Sequence, residues 1–340
     1  MPAAIDEGTA TRPLGKHGPV TPRSHLLIGL VNNMPASSRP ATERQFRNLI
    51  ASASAGIPTK LVTYTSLRLT GARARSGTGG EPFDLRDLWQ QRLDGLIVTG
   101  SEPAAEHLTG EPNWSELAEL VDWAEDNTHS TIWSCLAAHA AVYRLDGIPR
   151  RRLPNKLFGL FECTRAEREG STSELATGLP DRFCVPHSRW NGIAANTREM
   201  TTLDYRALTQ SSSTGMDIFV KKRRSLFVLC QGHPEYEPDS LLLEYRRDVA
   251  RFLRRERESY PDTPCQYFDE EAGVHLAAFR NRALLHPDES LLRDFPVVQF
   301  PQGMKKSWHA AAIRLYRNWL LYLAERKAAS DAKFVPGFVA

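Results

Sequence analysis

Cys135 stands where a short apolar strand gives way to a helix. The residues before it, Thr131, Ile132 and Trp133, are β-branched or aromatic, which is typical of a buried strand. From Leu136 onward the composition is mostly Leu, Ala and Val, which favours a helix. A thiol at such a corner faces the free N–H groups of the helix start, and these favour the nucleophilic thiolate. The alternative interpretation is a small core residue, because free cysteine is among the most buried residue types.

His233 and Glu235 directly follow a second apolar stretch, residues 225–230. The carboxyl ends of parallel strands share one edge of a sheet, so we expect these side chains near Cys135. Imidazole can take the proton of a thiol, and a nearby carboxylate can fix the imidazole tautomer. A structural histidine is the alternative interpretation of His233. Together with a thiol at a strand-to-helix corner, the pair predicts covalent acyl chemistry.

These side chains require a sheet whose strand ends meet, and the pattern of the chain predicts one. Apolar stretches predict strands at residues 25–31, 60–64, 94–99, 130–133, 183–190, 216–220 and 225–230. Helical periodicity predicts helices at residues 42–49, 114–127, 239–254 and 308–327. The alternation of strands and helices predicts an α/β fold, a doubly wound and mostly parallel sheet flanked by helices.

Composition excludes several classes of protein. The 340 residues carry 43 basic and 40 acidic side chains, so nucleic acid is not expected as the main partner. The five cysteines are odd in number and form no C-x-x-C pair, which favours a reducing compartment over disulfides or a metal site. No apolar run approaches the roughly 18 residues of a membrane span, and the N-terminus lacks a signal-peptide core. We therefore expect a cytoplasmic protein with no membrane partner.

The sequence also predicts how the chain is divided. We expect a disordered tail at residues 1–23, a single α/β domain at residues 24–328 and a second tail at residues 329–340. Residues 258–305 are weakly periodic, which predicts an irregular insertion in that domain. The Gly-rich basic stretch at residues 71–82 has no Walker spacing, which favours a solvated loop over a phosphate cradle.

An ordered set of motifs, from about Leu27 to about Tyr322, resembles one known family. The motifs are N-M-P at 33–35, D-G-L-I-V-T-G at 94–100, V-P-H-S-R at 185–189, G-H-P-E-Y at 232–236 and E-Y-R-R-D-V at 244–249. In these motifs the sequence resembles the MetA-type homoserine O-acyltransferases (homoserine O-succinyltransferases). The resemblance implies a class I glutamine-amidotransferase-like, flavodoxin-like fold.

The resemblance also implies roles for the residues described above. Cys135 matches the nucleophile that takes an acyl group from acyl-CoA as a thioester, His233 the general base and Glu235 its orienting carboxylate. The reaction would move a succinyl or acetyl group from its CoA ester to the hydroxyl of L-homoserine, the first committed step of methionine biosynthesis. The CoA ester is a co-substrate, no bound cofactor or metal is expected, and the family suggests a homodimer.

Five further residues are candidates for substrate and oxyanion binding. Lys156, Ser188 and Arg247 fall where the family holds its amino-acid substrate. Arg247 can grip an α-carboxylate with two parallel hydrogen bonds, although an ordinary helix-surface charge is the alternative. The backbone amide of Leu136 is the first candidate for an oxyanion donor, and an amide of Asn33 is the second.

The acyl donor depends on the loop that follows residue 100. In the family, one position in this loop separates succinyl from acetyl donors. Aligned without a gap, that position is Ala104, whose small side chain leaves room for succinyl. Shifted by two residues, it is Glu102, which would repel the succinyl carboxylate and favour acetyl. We expect O-succinyl transfer, with homoserine O-acetyl transfer or serine O-acyl transfer as alternatives.

An amidotransferase-like hydrolase is a more distant alternative. That class has an elbow cysteine and an H-x-E pair but typically reads G-x-C-x-G around its nucleophile. Here Trp133 and Ala137 stand at the two glycine positions. A non-enzymatic relative is disfavoured because all three catalytic side chains are present.

Overall fold

The structure, a computed structural model, describes residues 25–65, 83–166, 171–298 and 304–333. The predicted tail at residues 1–23 and the whole Gly-rich stretch at residues 71–82 lie outside the described residues.

The described strands and helices alternate along most of the chain. The strands are β1 Leu26–Val31, β2 Thr59–Thr65, β3 Phe83–Asp84, β4 Gly95–Val98, β5 Ser130–Ser134, β6 Arg150–Arg165, β7 Arg182–Ile193, β8 Tyr205–Ala207, β9 Thr209–Ser211, β10 Gly215–Met216, β11 Ile218–Lys222 and β12 Leu226–Cys230. The helices are α1 Arg39–Ala53, α2 Leu85–Leu88, α3 Trp114–Asn127, α4 Leu136–Asp146, α5 Thr197–Thr202, α6 Ser240–Leu253, α7 Glu270–Leu285 and α8 Met304–Lys333.

The main sheet has eight strands in the order β3-β2-β1-β4-β5-β12-β11-β8. From β3 to β12 every neighbouring pair is parallel, whereas β11 is antiparallel to both β12 and β8. Parallel strands need crossover connections, and the helices between them supply these. The α/β fold with a mostly parallel sheet predicted from the sequence is therefore confirmed.

Helices cover both faces of this sheet, so its strands are apolar on both sides. On one face, Leu30 packs in a core shared with Phe46 of α1 and Trp319 of α8. On the other, Val31 packs in a core shared with Leu117 of α3 and with α4. Adjacent residues of one strand thus enter opposite cores, as the alternation of side chains along a strand requires.

A second sheet, which the sequence interpretation did not predict, lies beside the main one. Its four antiparallel strands have the order β10-β9-β6-β7, and the long β6–β7 hairpin dominates it. Cys265 contacts this hairpin at Gly159, whose φ of 138° favours glycine. A Cβ at Gly159 would lie 2.3 Å from the Cys265 carbonyl oxygen, so the close approach also requires glycine.

The end of the chain contains more helix than the pattern indicated. Within residues 258–305, α7 and a 3₁₀ helix at Glu289–Asp294 are formed. The last helix, α8, continues to Lys333, so the boundary predicted at residue 328 falls inside it. Among the described helices, none combines the length and apolar character needed to cross a membrane.

Candidate active site

The backbone at Cys135 makes a sharp turn between β5 and α4. Its φ of 52° and ψ of −114° are rarely adopted by a residue with a side chain. The turn is held by the Cys135 N–H, which donates to the Cys230 carbonyl at 2.8 Å. Strained backbone of this kind clusters at active sites, where it presents a side chain at a sheet edge. Cys135 is accordingly partly exposed, although the strand before it is buried.

His233 and Glu235 leave the sheet beside Cys135. Strands β5 and β12 are parallel neighbours, and Ser134 pairs with Cys230 at their carboxyl ends. Residues 231–235 therefore emerge at the same edge as Cys135. The segment is not a continuation of the strand but forms a turn, in which the Tyr236 N–H donates to the His233 carbonyl at 3.2 Å. The H-x-E pair still meets, because the turn brings the Glu235 carboxylate back to the imidazole.

The three side chains form a connected set. His233 Nδ1 lies 2.8 Å from Glu235 Oε1, and the Ser134 hydroxyl donates to the same oxygen at 3.2 Å. Burial disfavours the charged imidazole, but the Glu235 carboxylate and the hydrogen bonds to Cys135 and Glu235 outweigh it and hold the pKa of His233 well above its ordinary value. A protonated His233 beside Cys135 places a proton donor next to a thiol, which is the pairing that covalent acyl chemistry uses.

A buried carboxylate fixes the backbone that carries His233. Asp217 Oδ1 accepts the Gly232 N–H at 3.0 Å and lies 3.2 Å from the His187 imidazole. Burial disfavours the Asp217 charge, but His187, Arg189 and the Gly232 amide keep its pKa below the usual value. Asp217 therefore carries a negative charge that anchors the residue preceding His233.

Cys135, His233 and Glu235 line a cavity of about 900 Å³. The same cavity is lined by Lys156 and Ser188, together with a charged surface of helix α6 that includes Arg247. The structure thus brings the candidate catalytic and substrate-binding residues together around one space.

Glu244, which the sequence interpretation missed, lies at the centre of the substrate-binding candidates Lys156, Ser188 and Arg247. Its carboxylate accepts hydrogen bonds from the hydroxyls of Ser188 and Tyr236. Lys156 Nζ lies 3.9 Å and Arg247 Nη2 3.8 Å from Glu244 Oε2. The position of Glu244 three residues before Arg247 on a helix was the available signal, because that spacing places both on one face.

Asp248 completes this group as a second acid. It lies 3.3 Å from Lys156 Nζ and 3.0 Å from Arg247 Nη2. Burial opposes its charge, but Lys156 and Arg247 hold the pKa of Asp248 below its ordinary value. The group thus offers cations and carboxylates side by side, which suits a ligand that carries both charges.

The two oxyanion candidates differ in their surroundings. The Leu136 N–H belongs to the first turn of α4, where amides have no partner within the helix, and Leu136 lines the cavity. Asn33 does not line it: its backbone N–H donates to Thr99 Oγ1 and its side-chain amide to the Thr99 carbonyl, both at 2.8 Å. Gly100 lies against the Leu136 amide, since a Cβ at Gly100 would be 2.8 Å from that nitrogen.

The loop after β4 places the two acyl-specificity candidates differently. Ala104 is exposed and is not among the residues lining the cavity; its N–H donates to Glu111 Oε2 at 3.1 Å. Glu102 does line the cavity, where it forms a forked ion pair with Arg251 of α6 at 3.1 to 3.2 Å. Its charge is therefore compensated. Among the described residues, no cluster of three or more His, Cys, Asp or Glu side chains could hold a metal.

At one edge of a mostly parallel α/β sheet, the chain thus carries a cysteine at a strand-to-helix turn beside a His–Glu pair. A solved structure to which the chain is similar is a glutamine amidotransferase from Methylobacillus flagellatus, with a TM-score of 0.49 and 13% identity, covering 89% of this chain and 94% of that one.

The sequence comparisons are more specific. A family model described as homoserine O-succinyltransferase matches residues 21–330. A homoserine O-succinyltransferase from Rhodopseudomonas palustris is 44% identical over 87% of this chain and 88% of its own length. Another from Methylorubrum extorquens is 40% identical over 95% of this chain and 99% of its own. The chain belongs to the homoserine O-succinyltransferase family.

Proposed function

We propose that this protein transfers the succinyl group of succinyl-CoA to the hydroxyl of L-homoserine, through a thioester on Cys135, as the committed step toward methionine. The observation that carries the proposal is the single cavity that joins Cys135 and His233 to the charged group around Glu244. One side of that cavity can form and break an acyl bond. The other side can hold an amino acid.

In the first half-reaction, the Cys135 sulfur attacks the thioester carbon while the thiol proton is held on His233 Nε2. The carbonyl oxygen becomes an oxyanion, which the Leu136 N–H at the start of α4 can bind. The CoA sulfur then leaves and takes the proton from His233. Glu235 stabilises the imidazolium during this step, because its carboxylate lies 2.8 Å from Nδ1.

In the second half-reaction, His233 accepts the proton of the homoserine hydroxyl, whose oxygen attacks the acyl carbon. The Cys135 sulfur leaves as a thiolate, and the proton taken from homoserine stays on His233, which restores the starting state. For this step homoserine must be held close to the acyl group, and Arg247 can take its α-carboxylate. Glu244 can take its α-ammonium, because the hydroxyls and cations around it already hold the carboxylate in place.

The cavity also suits a CoA ester. Its lining includes Arg152, whose guanidinium lies 4.3 Å from the centre of the Trp190 ring. No carboxylate among the described residues pairs with Arg152, so this cation is available to a CoA phosphate. The attraction between the Arg152 guanidinium and the face of the Trp190 ring does not require a carboxylate partner, and it holds the guanidinium in a fixed orientation.

The cellular setting belongs to the same proposal. All five cysteines are free thiols, which supports the cytoplasmic location predicted from the sequence. A homodimer stays a prediction from the family, and light scattering of the purified protein measures it.

A panel of donors and acceptors tests the proposed reaction. Succinyl-CoA, acetyl-CoA and propionyl-CoA are each combined with homoserine, serine or no acceptor, and both free CoA and O-acyl product are measured. We expect the highest kcat/KM for succinyl-CoA with homoserine and little CoA release without an acceptor. A preference for acetyl-CoA would overturn the assignment of succinyl-CoA as the donor, and a preference for serine would overturn the assignment of homoserine as the acceptor. Equal CoA release with and without acceptor would favour the hydrolase.

A further inference from the structure

Arg150 and Glu111 form an ion pair that is sealed inside the protein. Their side chains are each 1% exposed, and Arg150 Nη2 lies 2.6 Å from Glu111 Oε1. Arg150 is the first residue of β6, whereas Glu111 follows the loop after β4. A buried ion pair is weak evidence for stability, because desolvation offsets its attraction.

The pair organises the loop of residues 101–106 beside the cavity. Glu111 accepts the N–H groups of Ala104 and Ala105 at 3.1 and 3.3 Å. Arg150 Nε donates to the Glu106 carbonyl at 3.2 Å, and Nη2 also donates to the Ala105 carbonyl. Both charged groups thus fix the backbone of the same loop.

One nitrogen of Arg150 has no partner in the described part of the chain. Nε and Nη2 are fully used, but Nη1, with its two N–H groups, is buried and makes no hydrogen bond. An unpaired buried donor is costly, and each such group in a folded protein requires an explanation. Arg150 also lines the catalytic cavity, so a ligand in that cavity can supply the missing acceptor.

Arg150 and Cys135 line the same cavity, and His139 lies close to both. The His139 N–H donates to the Cys135 carbonyl one helical turn before it, and the charge of Arg150 acts on the His139 imidazole. Burial, Arg189 and Arg150 lower the pKa of His139 to about 3, so it is neutral and does not compete for an anion. A succinyl group is about as long as one helical turn, roughly 5 Å, which is the rise from Cys135 to His139.

We propose that Arg150 binds the distal carboxylate of the succinyl group through the two N–H groups of Nη1. The inference rests on the proposed function, since it concerns the donor of that reaction. Because Nη1 is covered, the loop carrying Ala105 and Glu106 must shift slightly when the donor enters. Glu111 keeps Arg150 in place during this shift, and the carboxylate of the donor completes the guanidinium's hydrogen bonds.

The test compares two donors that differ only in the carboxylate. Succinyl-CoA and butyryl-CoA have acyl chains of the same number of carbon atoms, and the rate of acyl-enzyme formation on Cys135 is measured for each. We expect wild-type protein to react at least about tenfold faster with succinyl-CoA, as a charged hydrogen bond allows. Equal rates would contradict a carboxylate site, whereas no reaction with either donor would contradict the proposed function instead.

Two variants assign the effect to Arg150. Arg150→Lys keeps the charge for Glu111 but removes the fork, so the succinyl-to-butyryl ratio should fall by about tenfold or more while the butyryl rate stays within about twofold. Glu111→Gln keeps the fork, so the ratio should not fall. Arg151→Lys, the exposed neighbour on the opposite face of β6, is the matched control. If Arg150→Lys lowered the rates with succinyl-CoA and with butyryl-CoA by the same factor, the role of Arg150 would be purely structural and the proposal would be overturned.

Discussion

At the scale of single residues, the chemistry depends on how charge is distributed around His233. The imidazole has a carboxylate on one side and a thiol on the other, and both raise its pKa. Tyr236 stacks on the ring with 4.3 Å between centroids, which limits its rotation. The histidine is therefore held in the protonated form that the proposed reaction requires for the departure of the CoA thiolate.

Replacing Glu235 tests this electrostatic role. Glu235→Gln removes the carboxylate that raises the pKa of His233, so that pKa should fall and the imidazolium should be lost at lower pH. We expect the alkaline limb of the pH profile for acyl-enzyme formation to move to lower pH, with a rate at least about a hundredfold lower near neutral pH. Glu237→Gln, two residues along and outside the cavity, is the control. An unmoved alkaline limb would remove Glu235 from this role.

Glu244 makes a second prediction at this scale. Glu244→Gln keeps the size and an acceptor for Ser188 but removes the negative charge offered to the α-ammonium of homoserine. The KM for homoserine should rise about ten- to hundredfold, because hydrogen bonds to charged groups contribute about 1.5–3 kcal/mol. Acyl-enzyme formation without acceptor should be unchanged and is the internal control. A normal homoserine KM would place the ammonium elsewhere.

At the scale of elements, the site is built where neighbouring parallel strands end. Strand β5 delivers Cys135, β12 delivers His233 and β4 delivers Gly100 to one edge of the sheet. Helix α4 adds its free N–H groups, and helix α6 closes the other side of the cavity. The catalytic geometry thus follows from strand order rather than from any single motif.

Gly100 tests the role of the α4 amide. In Gly100→Ala the new methyl group would lie 2.8 Å from the Leu136 nitrogen, where it must displace or cover that donor. We expect kcat to fall about 10²–10³-fold, as on loss of an oxyanion donor. Gly273→Ala on α7, where a Cβ meets nothing within 4 Å, should leave kcat unchanged. Normal turnover in Gly100→Ala would contradict an oxyanion site at Leu136.

The positions of Cys135 and His233 at one edge of the sheet could be predicted from the sequence, whereas the pairing of Glu111 with Arg150 could not. Cys135 and His233 were identifiable because both follow apolar strands, and parallel strand ends meet at one edge. Glu111 and Arg150 were not, because their pairing spans 39 positions and depends on how the β6–β7 hairpin lies against the main sheet. That hairpin contains Pro, Asn and Lys residues, so its residues lack the strict alternation that predicts a strand.

At the scale of the whole molecule, helix α8 covers one face of the sheet. Trp319 of α8 is 1% exposed, its indole N–H donates to Ser130 Oγ at 2.9 Å, and its ring lies against Gly95. A Cβ at Gly95 would lie 2.8 Å from that ring, so the small residue in β4 accommodates it. The C-terminal helix is therefore part of the core beneath the catalytic edge.

Truncation of Trp319 measures that contribution. Trp319→Ala should lower the free energy of unfolding by about 3–5 kcal/mol, because it leaves a cavity and removes the hydrogen bond from the indole to Ser130 Oγ. Leu321→Ala, at an exposed position on the same helix, should change it by no more than about 0.5 kcal/mol. Urea unfolding followed by circular dichroism gives both values. Similar losses for the two variants would contradict the core position of Trp319.

The overall fold was more predictable than its second sheet and its C-terminal part. Apolar strands such as β1 and β4 and the periodic helix α3 carry their structure in local composition. The segment before α8 does not, because α7 is exposed over much of its surface and so shows little periodicity. Its place in the fold depends on the contact between Cys265 and Gly159, which no local pattern reveals.

The most direct test of the account is mass spectrometry of the intact protein and of its proteolytic peptides after mixing with succinyl-CoA in the absence of homoserine. The intact mass should increase by one succinyl group, located on the peptide containing Cys135; the increase should disappear when homoserine is added and be absent in Cys135→Ala. A stable succinyl adduct elsewhere, or homoserine succinylation with no adduct ever forming on Cys135, would contradict transfer through this thiol.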